Sequence, residues 1–369
     1  MTRQRPIMQI FASANWGGGE QFVYDLTRRL LEEGRPVVAV CRPGGAVEQR
    51  IAGLDIPSHA VSMKHFTDVV AIVRLARLIR RYEPSVIHVH QFKDAFIAVL
   101  ARMLCGGGPR APRIVLSRHL VLRGHSGRFY GWFYRRIDRI AFVSQLARKA
   151  FLSSHPRVDA ERLSVVHNST PDVVPGAAAR DLRAEYGIAP DTPLMLFTGR
   201  CVPEKGCDIL LEACSLLDGR GFGRYVLFLA GSVDSVYRKT LEERIRTGGL
   251  TGRVFLLGFV EQVKPLLAQC DIGVFPSVGC ESFGLSMIEG MQAGCAVVTT
   301  DNGAQPEYMT DGREALLVPP ADADALARAL ARLLGDDELR RSLGSAARKR
   351  FVEELSYERF YRKICQLYE

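Results

Sequence analysis

The chain has no hydrophobic run long enough to cross a bilayer. Within its 369 residues, the apolar stretch that begins at Phe96 is interrupted by Arg102, whereas a membrane-spanning helix needs about 20 apolar residues in succession. The apolar stretch at residues 7–12 has only about six residues, fewer than the core of a secretory signal. We therefore expect a protein that neither spans a membrane nor is secreted.

Closely paired cysteines and low-complexity tracts are also missing. The nine cysteines form no Cys-x-x-Cys motif, and their odd number and scattered positions are typical of free thiols in the cytoplasm. A composition of 47% hydrophobic and 24% charged residues excludes a disordered chain, a collagen and a coiled coil. At about 100–200 residues per domain, the length predicts two or three globular domains.

The second half of the chain lacks histidine and excess positive charge. All eight histidines lie at or before His167, and residues 1–175 carry 26 Lys and Arg against 13 Asp and Glu. The net charge is +13 for residues 1–175 and −4 for residues 176–369. Such a basic half could meet an anionic membrane, an anionic small molecule or nucleic acid, although a general preference for arginine would also produce it.

Short apolar runs alternate with longer amphipathic stretches along the whole chain. Runs of about four to six residues rich in Val, Ile, Leu and Phe are typical of buried parallel strands, and the spacing in 71–81 and 323–334 predicts helices. The pattern therefore predicts an α/β protein with two doubly wound, Rossmann-like parallel sheets. The predicted strands are 8–12, 37–41, 86–89, 114–117, 140–143, 163–166, 194–198, 225–230, 254–257, 272–275, 296–300 and 315–318.

A linker separates the two predicted domains. The segment TPDVVPGAAA (residues 170–179) contains two prolines, a glycine and small residues, which favour a domain boundary near residue 175. We expect an N-terminal domain at 1–175, a C-terminal domain at 176–354 and a cleft between them. The helical, aromatic-rich stretch 355–369 could cap either domain and is expected to return to the first.

The segment CESFGLSMIEGMQAGCAVVTTDNGAQPE (residues 280–307) carries the strongest functional signal. Glu281 and Glu289 are eight residues apart and would share one face of a helix that begins near Phe283. Gly284 would let a ligand approach the backbone at the start of that helix, where free N–H groups favour phosphate. Carboxylates accept hydrogen bonds from sugar hydroxyls, so the segment offers what a nucleotide sugar needs. Two solvated glutamates on an amphipathic helix are the alternative.

The segment TGRCVPEKGC (residues 198–207) follows a predicted strand. Arg200 and Lys205 lie in a loop that is marked by Gly199 and Pro203. Two cations at the carboxyl end of a parallel strand could clamp a diphosphate, and surface cations without a ligand are equally compatible with the pattern.

Two further segments follow predicted strands of the first half. NWGGGEQ (residues 15–21) places three glycines before a helix and leaves backbone N–H groups open to a ligand, or is simply a flexible turn. His88 and His90 share one face of a strand, and His119 follows the next strand. Zinc would need ligands at a spacing that the sequence lacks, so buried core histidines are the default and His119 is the candidate for a functional role.

Taken together, these motifs resemble family-4 retaining glycosyltransferases of the GT-B fold (glycosyl transferases group 1). The resemblance covers nearly the whole chain and is strongest from Leu194 to Pro320. It is carried by the Glu-x7-Glu segment with its continuation GCAVVTTDNGAQPE, by TGRCVPEKG and by ALLVPP, and more loosely by WGGGEQF, VIHVHQ, SRHL and AFVSQ.

The resemblance implies a role for each motif residue. Arg200 and Lys205 would bind the donor diphosphate, and Glu281 the hydroxyls of the transferred sugar. Glu289 would bind the ribose, and His119 would lie near the reacting sugar. The other donor-binding positions implied are Gly18, Gly19, Gly199, Phe283, Gly284 and Leu285.

The resemblance also implies transfer with retention, by attack on the face of the leaving group. Because Arg200, Lys205 and a helix start would stabilise the departing diphosphate, we expect no metal or other cofactor. From the charge of the first half we expect a glycan or lipid-linked acceptor at the inner face of the cell membrane, as in the synthesis of lipopolysaccharide, capsule or another cell-surface glycan. A nucleotide-sugar epimerase and a non-catalytic nucleotide-binding protein remain alternatives. A nucleic-acid binder would leave Glu281 and Glu289 unexplained, so no specific nucleic-acid partner is expected.

Overall fold

A computed structural model describes residues 4–13, 16–172 and 180–369. The chain forms two compact units: an N-terminal unit, Met1–Asn168 with Glu358–Glu369, and a C-terminal unit, Ser169–Tyr357. The boundary expected near residue 175 lies among residues 173–179, which are outside the described residues.

The N-terminal unit is built on a parallel sheet of seven strands in the order β3-β2-β1-β4-β5-β6-β7. Its central strands are buried along their whole length and are apolar except for Gln9 on β1 and His88 on β4, as expected for strands that helices cover on both sides. The strands are β1 (Ile7–Phe11), β2 (Val37–Cys41), β3 (Ser58–Ala60), β4 (Val86–Val89), β5 (Arg113–Arg118), β6 (Arg139–Phe142) and β7 (Leu163–Val165).

Helices connect successive strands of this sheet. The side chain of Asp68 caps the third helix by accepting a hydrogen bond from the N–H of Ala71 at 3.0 Å, and Ser144 caps the sixth in the same way. The helices are α1 (Gly18–Glu32), α2 (Ala46–Ile51), α3 (Val69–Tyr82), α4 (Phe92–Leu104), α5 (Arg128–Tyr134) and α6 (Gln145–Leu152).

The C-terminal unit repeats the plan with six parallel strands in the order β10-β9-β8-β11-β12-β13. The strands are β8 (Leu194–Thr198), β9 (Val226–Ala230), β10 (Val254–Gly258), β11 (Ile272–Phe275), β12 (Ala296–Thr300) and β13 (Ala315–Val318). The helices are α7 (Leu182–Tyr186), α8 (Cys207–Gly219), α9 (Ser235–Thr247), α10 (Lys264–Leu267), α11 (Leu285–Ala293), α12 (Ala323–Gly335) and α13 (Asp337–Arg350).

The last helix, α14 (Tyr357–Tyr368), packs on the N-terminal unit. The ring of Phe360 lies 5.2 Å from that of Phe22 on α1, and Arg29 forms an ion pair with Glu358 at 2.9 Å. Its buried face carries Phe360, Tyr361 and Ile364, so the unit's core is completed by a segment that is distant in sequence.

The predicted strands agree with the observed ones to within one residue at each end, and six of the twelve agree at both ends. The sequence analysis missed β3, a three-residue edge strand whose residues are exposed or half-buried and therefore carry no apolar signal. Among the described residues, none of the helices combines the length and the hydrophobicity that crossing a membrane requires.

Candidate active site

Each sheet has one point at which the order of its strands reverses. In the N-terminal unit β1 lies between β2 and β4, and in the C-terminal unit β8 lies between β9 and β11. The crossovers on the two sides of such a point leave in opposite directions, which opens a crevice at the carboxyl ends of the strands, where α/β proteins bind ligands. The motif loops after β1, β4, β8 and β11 all begin at these two points.

In the C-terminal unit, the loops after β8 and β11 bring a lysine and a glutamate together. The ammonium group of Lys205 pairs with Oε1 of Glu281, which also accepts a hydrogen bond from the hydroxyl of Ser277 at 2.5 Å. The side chain of Glu281 is 12% exposed and that of Lys205 31% exposed. Since an ammonium group has three N–H donors, Lys205 can hold Glu281 and bind a second anion.

Glycines allow the backbones of these loops to approach each other. At Gly206, where φ is +72°, a Cβ atom would lie 2.0 Å from the carbonyl oxygen of Pro276, and at Gly231 it would lie 1.6 Å from that of Gly199. Any side chain at Gly206 or Gly231 would push these segments apart. Gly206 therefore keeps the loop of Lys205 close to Pro276, which begins the segment that carries Glu281.

Arg200 lies in the same loop and is exposed. Its guanidinium group makes no hydrogen bond or ion pair with any residue in the described ranges. Arg200 and Lys205 thus place two positive charges after one strand, and one of these charges is unneutralised. An arginine is suited to bidentate binding of phosphate oxygens.

The helix of the Glu-x7-Glu segment begins two residues later than expected. α11 starts at Leu285, after Gly284 with φ +90°, so Glu281 lies in the preceding loop, and the expectation that both glutamates share one helical face is wrong. The positive φ explains the late start, because a left-handed residue cannot continue a right-handed helix. Glu289 lies half-buried in the second turn of α11.

Phe283 is fixed beneath this helix start. Its ring lies 4.8 Å from the ring of Tyr308, whose hydroxyl donates to the carbonyl oxygen of Phe283. Both side chains are buried. The first turn of a helix has N–H groups without acceptors inside the helix, so this packing holds the backbone of Phe283, Gly284 and Leu285 in an orientation that suits an anion or a sugar hydroxyl.

Two side chains at the end of β12 and just after it, which the sequence analysis did not select, hold the loop of Glu281. The amide nitrogen of Asn302 donates to the carbonyl oxygens of Ser277, Val278 and Gly279 at 3.1, 2.8 and 3.2 Å. The hydroxyl of Thr300, the last residue of β12, donates to the carbonyl oxygen of Ser277 at 2.8 Å. Their position at the carboxyl end of a buried strand was the available signal.

The glycine segment of the N-terminal unit is only partly described. Ala14 and Asn15 of NWGGGEQ lie outside the described residues. Gly17 precedes α1, and Gly18 and Gly19 lie in its first turn. The sequence analysis expected all three glycines before the helix, and this is wrong for two of them. A Cβ atom at Gly19 would meet only the ring of Phe11, at 3.8 Å.

The three strand-end histidines form one cluster in the N-terminal unit. The ring centroids of His88 and His90 are 4.1 Å apart, and His90 stacks on His119 at 5.5 Å. Burial, with a smaller contribution from His119, lowers the pKa of His88 to about 3, and burial lowers the pKa of His119 to about 4. Burial also lowers the pKa of His90 well below its usual value. All three imidazoles are therefore neutral near pH 7.

The described residues contain no group of three or more His, Cys, Asp or Glu side chains that could hold a metal ion. Asp322 and Asp324, which are spaced as in an Asp-x-Asp metal motif, have structural partners. Asp322 caps α12 by accepting from the N–H of Ala325 at 2.8 Å, and Asp324 pairs with Arg220 and Arg328.

The structure therefore gathers the predicted residues into two groups. In the C-terminal unit Lys205 pairs with Glu281, and Gly199 and Arg200 lie in the same loop as Lys205. Phe283, Gly284, Leu285 and Glu289 follow Glu281 along the chain, in the loop and in α11. The N-terminal unit holds His119, Gly18 and Gly19. Cations, carboxylates and backbone N–H donors are the groups that an anionic, hydroxyl-rich ligand would need.

Comparison with protein families matches both units. Residues 16–171 match the model of Glycosyltransferase Family 4, and residues 179–350 match Glycosyl transferases group 1. The chain is 31% identical over 290 residues to phosphatidyl-myo-inositol mannosyltransferase from Mycolicibacterium smegmatis, covering 77% of this chain and 71% of that protein. It is 26% identical over 370 residues to the lipopolysaccharide core biosynthesis glycosyltransferase LpsE from Rhizobium meliloti, covering 95% of each.

Solved structures show the same fold. A glycosyltransferase from Rickettsia africae matches with a TM-score of 0.85 at 20% identity, over 99% of this chain and 98% of that one. Anabaena Alr3699/HepE in complex with UDP and glucose matches with a TM-score of 0.81 at 20% identity, over 98% of each chain. The fold is that of a GT-B glycosyltransferase. The chain belongs to glycosyltransferase family 4, as the sequence motifs predicted, and is a glycosyltransferase enzyme.

Proposed function

We propose that the protein transfers a sugar from a nucleoside-diphosphate sugar to a hydroxyl group of a glycan or lipid-linked acceptor, with retention and without a metal ion. The observation that carries the proposal is the cluster after β8 and β11, in which Lys205 and Ser277 hold Glu281 and Arg200 has no partner among the described residues. A diphosphate needs cations, and a sugar needs carboxylates that accept hydrogen bonds from its hydroxyls.

The donor diphosphate lies against Arg200 and Lys205 in this proposal. Breaking the bond between the sugar and the diphosphate leaves negative charge on the departing oxygen. Two cations and the amino end of α11 stabilise that charge, and they do so most strongly when the charge is fully developed. They supply the positive charge that a metal ion provides in other enzymes, so none is required as a cofactor.

Glu281 and Glu289 act as acceptors of hydrogen bonds from the donor. Glu281, together with the backbone of Phe283, Gly284 and Leu285, orients the hydroxyls of the transferred sugar, and Glu289 binds the ribose. The ion pair between Lys205 and Glu281 fixes the carboxylate before the donor arrives. Gly18, Gly19 and Gly199 line the phosphate end of the site, and His119 contacts the reacting sugar.

Transfer replaces one bond at the anomeric carbon by another. The bond from that carbon to the phosphate oxygen breaks, the acceptor oxygen attacks on the same face, and the released phosphate oxygen takes the proton of the acceptor hydroxyl. The ring oxygen stabilises the positive charge that develops on the sugar. The products are the glycosylated acceptor and a nucleoside diphosphate, so atoms and charges balance without a further reactant.

Thermal unfolding in the presence of UDP, GDP, ADP and their sugars tests the donor. A ligand present at one hundred times its dissociation constant stabilises the folded state by about 2.7 kcal/mol, so one base should raise the melting temperature clearly above the other two. Release of that nucleoside diphosphate in the presence of a membrane extract then tests transfer, and the anomeric configuration of the product tests retention. Stabilisation by none of the nucleotides would contradict the proposal.

A lipid-linked acceptor is favoured by a surface of the N-terminal unit. Four apolar side chains there are 49–67% exposed, namely Phe66, Val69, Val70 and Phe129. The ring centroid of Phe96 lies 6.0 Å from that of Phe66 and 5.6 Å from that of Phe129. This apolar surface belongs to the unit that carries the excess of arginine. Exposed aromatic and aliphatic side chains among basic residues are typical of peripheral contact with anionic lipid. We therefore place the enzyme's acceptor step at the inner face of the cell membrane, in the synthesis of a cell-surface glycan.

Sedimentation with vesicles of anionic and of neutral lipid tests this surface. Phe129→Ser and Val70→Ser should reduce binding to anionic vesicles at low salt, whereas Val236→Ser, at a 75% exposed valine of the C-terminal unit, should not. Binding that is absent from both vesicle types would remove the membrane from the proposal and leave a soluble glycan acceptor.

A further inference from the structure

The histidine cluster is part of a longer chain of hydrogen bonds that reaches the last helix. The hydroxyl of Tyr368 lies 2.8 Å from Nδ1 of His88 and 3.4 Å from the amide nitrogen of Gln9 on β1. The amide oxygen of Gln9 lies 2.9 Å from Nε2 of His90, and Nδ1 of His90 lies 3.3 Å from Nε2 of His119. One path therefore links Tyr368, Gln9, His90 and His119.

The orientation of the Gln9 amide determines where each proton on this path resides. Its nitrogen donates to the hydroxyl oxygen of Tyr368, so its oxygen accepts the proton of His90 at Nε2. A neutral imidazole has only one N–H, and Nδ1 of His90 must therefore accept a hydrogen bond. The donor to it is Nε2–H of His119, which leaves Nδ1 of His119 without a proton.

The second branch from Tyr368 is consistent with the same order. Its hydroxyl accepts from Gln9 and has its own proton free to donate to Nδ1 of His88. With Nδ1 as the acceptor, Nε2–H of His88 donates to the hydroxyl of Ser117 at 2.8 Å. Burial raises the pKa of Tyr368 above its usual value, so that hydroxyl keeps its proton. Each bond of both branches has one donor and one acceptor.

Nδ1 of His119 is where the path ends. This nitrogen is buried, and it has no hydrogen-bond partner among the described residues, whereas both ring nitrogens of His88 and His90 have one. A buried acceptor without a partner costs about 1–3 kcal/mol, a cost that a ligand hydroxyl would remove.

We propose that Gln9 and Tyr368 are positioning residues that order the protons of the histidine cluster, so that His119 offers an unprotonated Nδ1 to a hydroxyl of the reacting sugar or acceptor. The inference rests on the role of His119 under the proposed function. A reversed Gln9 amide would reverse every proton on the path and place a hydrogen on Nδ1 of His119. Tyr368 on α14 thereby influences the protonation of His119 through hydrogen bonds between side chains.

Nuclear magnetic resonance of the protein labelled with 15N-histidine reads the proton positions directly. The signals of His119 are assigned by their loss in His119→Gln. We expect the wild-type protein to show His119 protonated at Nε2 and unprotonated at Nδ1. A proton on Nδ1 in the wild-type protein would overturn the proposal without any measurement of activity.

Variants then test whether the order matters for transfer. Gln9→Leu removes the amide that sets the proton order of the cluster, so both tautomers of His119 should be populated. The kcat should fall about tenfold relative to the wild type, and KM for the donor should stay within twofold. Tyr368→Phe frees the Gln9 amide to rotate and should change the spectrum and kcat in the same direction. Ser117→Ala, which removes a buried bond only from the other branch, should leave the His119 signals and kcat unchanged.

The outcomes separate this inference from the function beneath it. The positioning role would be overturned if Gln9→Leu gave the same spectrum as the wild type. It would also be overturned if Gln9→Leu showed mixed tautomers but full kcat while His119→Gln was impaired. Full activity of His119→Gln would instead contradict the role of His119 in transfer, and the measured proton order would still stand.

Discussion

The two sheets carry different kinds of side chain at the points where their strand orders reverse. At that point in the C-terminal unit, Lys205 pairs with Glu281, and the exposed Arg200 has no partner among the described residues. At the corresponding point in the N-terminal unit, the strands end in neutral imidazoles, of which His88 and His90 are fully buried and hydrogen-bonded. The C-terminal unit has no histidine at all.

We relate this difference to the two halves of the proposed reaction. Under that proposal, charge develops on the leaving diphosphate, and Arg200 and Lys205 stabilise it. The acceptor side needs a group whose orientation and proton are fixed, and a buried neutral network provides this at the cost of sensitivity to acid. The comparison therefore predicts that substitutions in the C-terminal unit act on donor charge, and that pH acts on the N-terminal unit.

The largest effect is expected for Glu281→Gln. The amide keeps the shape of the side chain but loses the charge that holds Lys205 and accepts from the sugar, so kcat should fall about a thousandfold. The affinity for the free nucleoside diphosphate should stay the same or increase, because Lys205 is released. Calorimetric titration and initial rates check this, with Glu212→Gln on the exposed face of α8 as the matched control. A parallel loss of nucleotide affinity would place Glu281 on the nucleotide and not on the sugar.

The second effect is a loss of folding stability of the N-terminal unit at low pH. The pKa of each of the three clustered histidines is lowered by burial, so the unfolded chain binds more protons than the folded one, and stability is lost as pH falls below about 6.5. At pH 5.5 each histidine should lower the free energy of unfolding by about 1.4 kcal/mol, and the three together by about 4 kcal/mol.

Both tryptophans, Trp16 and Trp132, lie in the N-terminal unit, so their fluorescence during unfolding by guanidinium reports this unit. Hydrogen exchange of peptides from the C-terminal unit gives the comparison. A loss of protection at pH 5.5 that is equal in both units would contradict the assignment of acid sensitivity to the histidine cluster.

The sequence predicted the fold almost completely, because buried parallel strands have a continuous apolar signature that needs no knowledge of neighbours. It also placed the motif residues at strand ends. What it could not give were contacts across the sheet: the pairing of Lys205 with Glu281 joins residues 76 positions apart, and Tyr368 reaches His88 over 280. Asn302 was missed because a loop asparagine has no periodic signal, and its three carbonyl partners exist only after folding.

A third and smaller effect is expected for Arg200→Met. Loss of one guanidinium group should weaken nucleoside-diphosphate binding by about 2 kcal/mol, or about thirtyfold, as for other charged hydrogen bonds. Binding of the matching nucleoside monophosphate should change much less, because the second phosphate is the expected partner. Arg332→Met, at an exposed arginine of α12, is the control. Equal weakening for mono- and diphosphate would move Arg200 away from the diphosphate.

The smallest effect is expected at Asp94, whose contribution to the stability of the N-terminal unit changes with pH in the direction opposite to that of the histidines. Asp94 is buried on α4 and accepts from the N–H of Ala12, at the end of β1, at 3.2 Å. Burial raises the pKa of Asp94 to about 6, against smaller opposing effects of Lys93 and of that hydrogen bond. Since the folded pKa exceeds the unfolded one, the ionised carboxylate destabilises the unit above about pH 6, and this penalty fades as pH falls towards 4.

Asp94→Asn should therefore stabilise the N-terminal unit at pH 7.5 and lose this advantage near pH 4.5. A shift of about two pKa units corresponds to about 3 kcal/mol, but the gain should be nearer 1 kcal/mol because the amide NH2 replaces an oxygen that has no hydrogen-bond partner among the described residues. Tryptophan fluorescence during unfolding at both pH values measures the difference. A gain that is independent of pH would mean that the amide acts through packing, and that the histidines alone set the acid response of this unit.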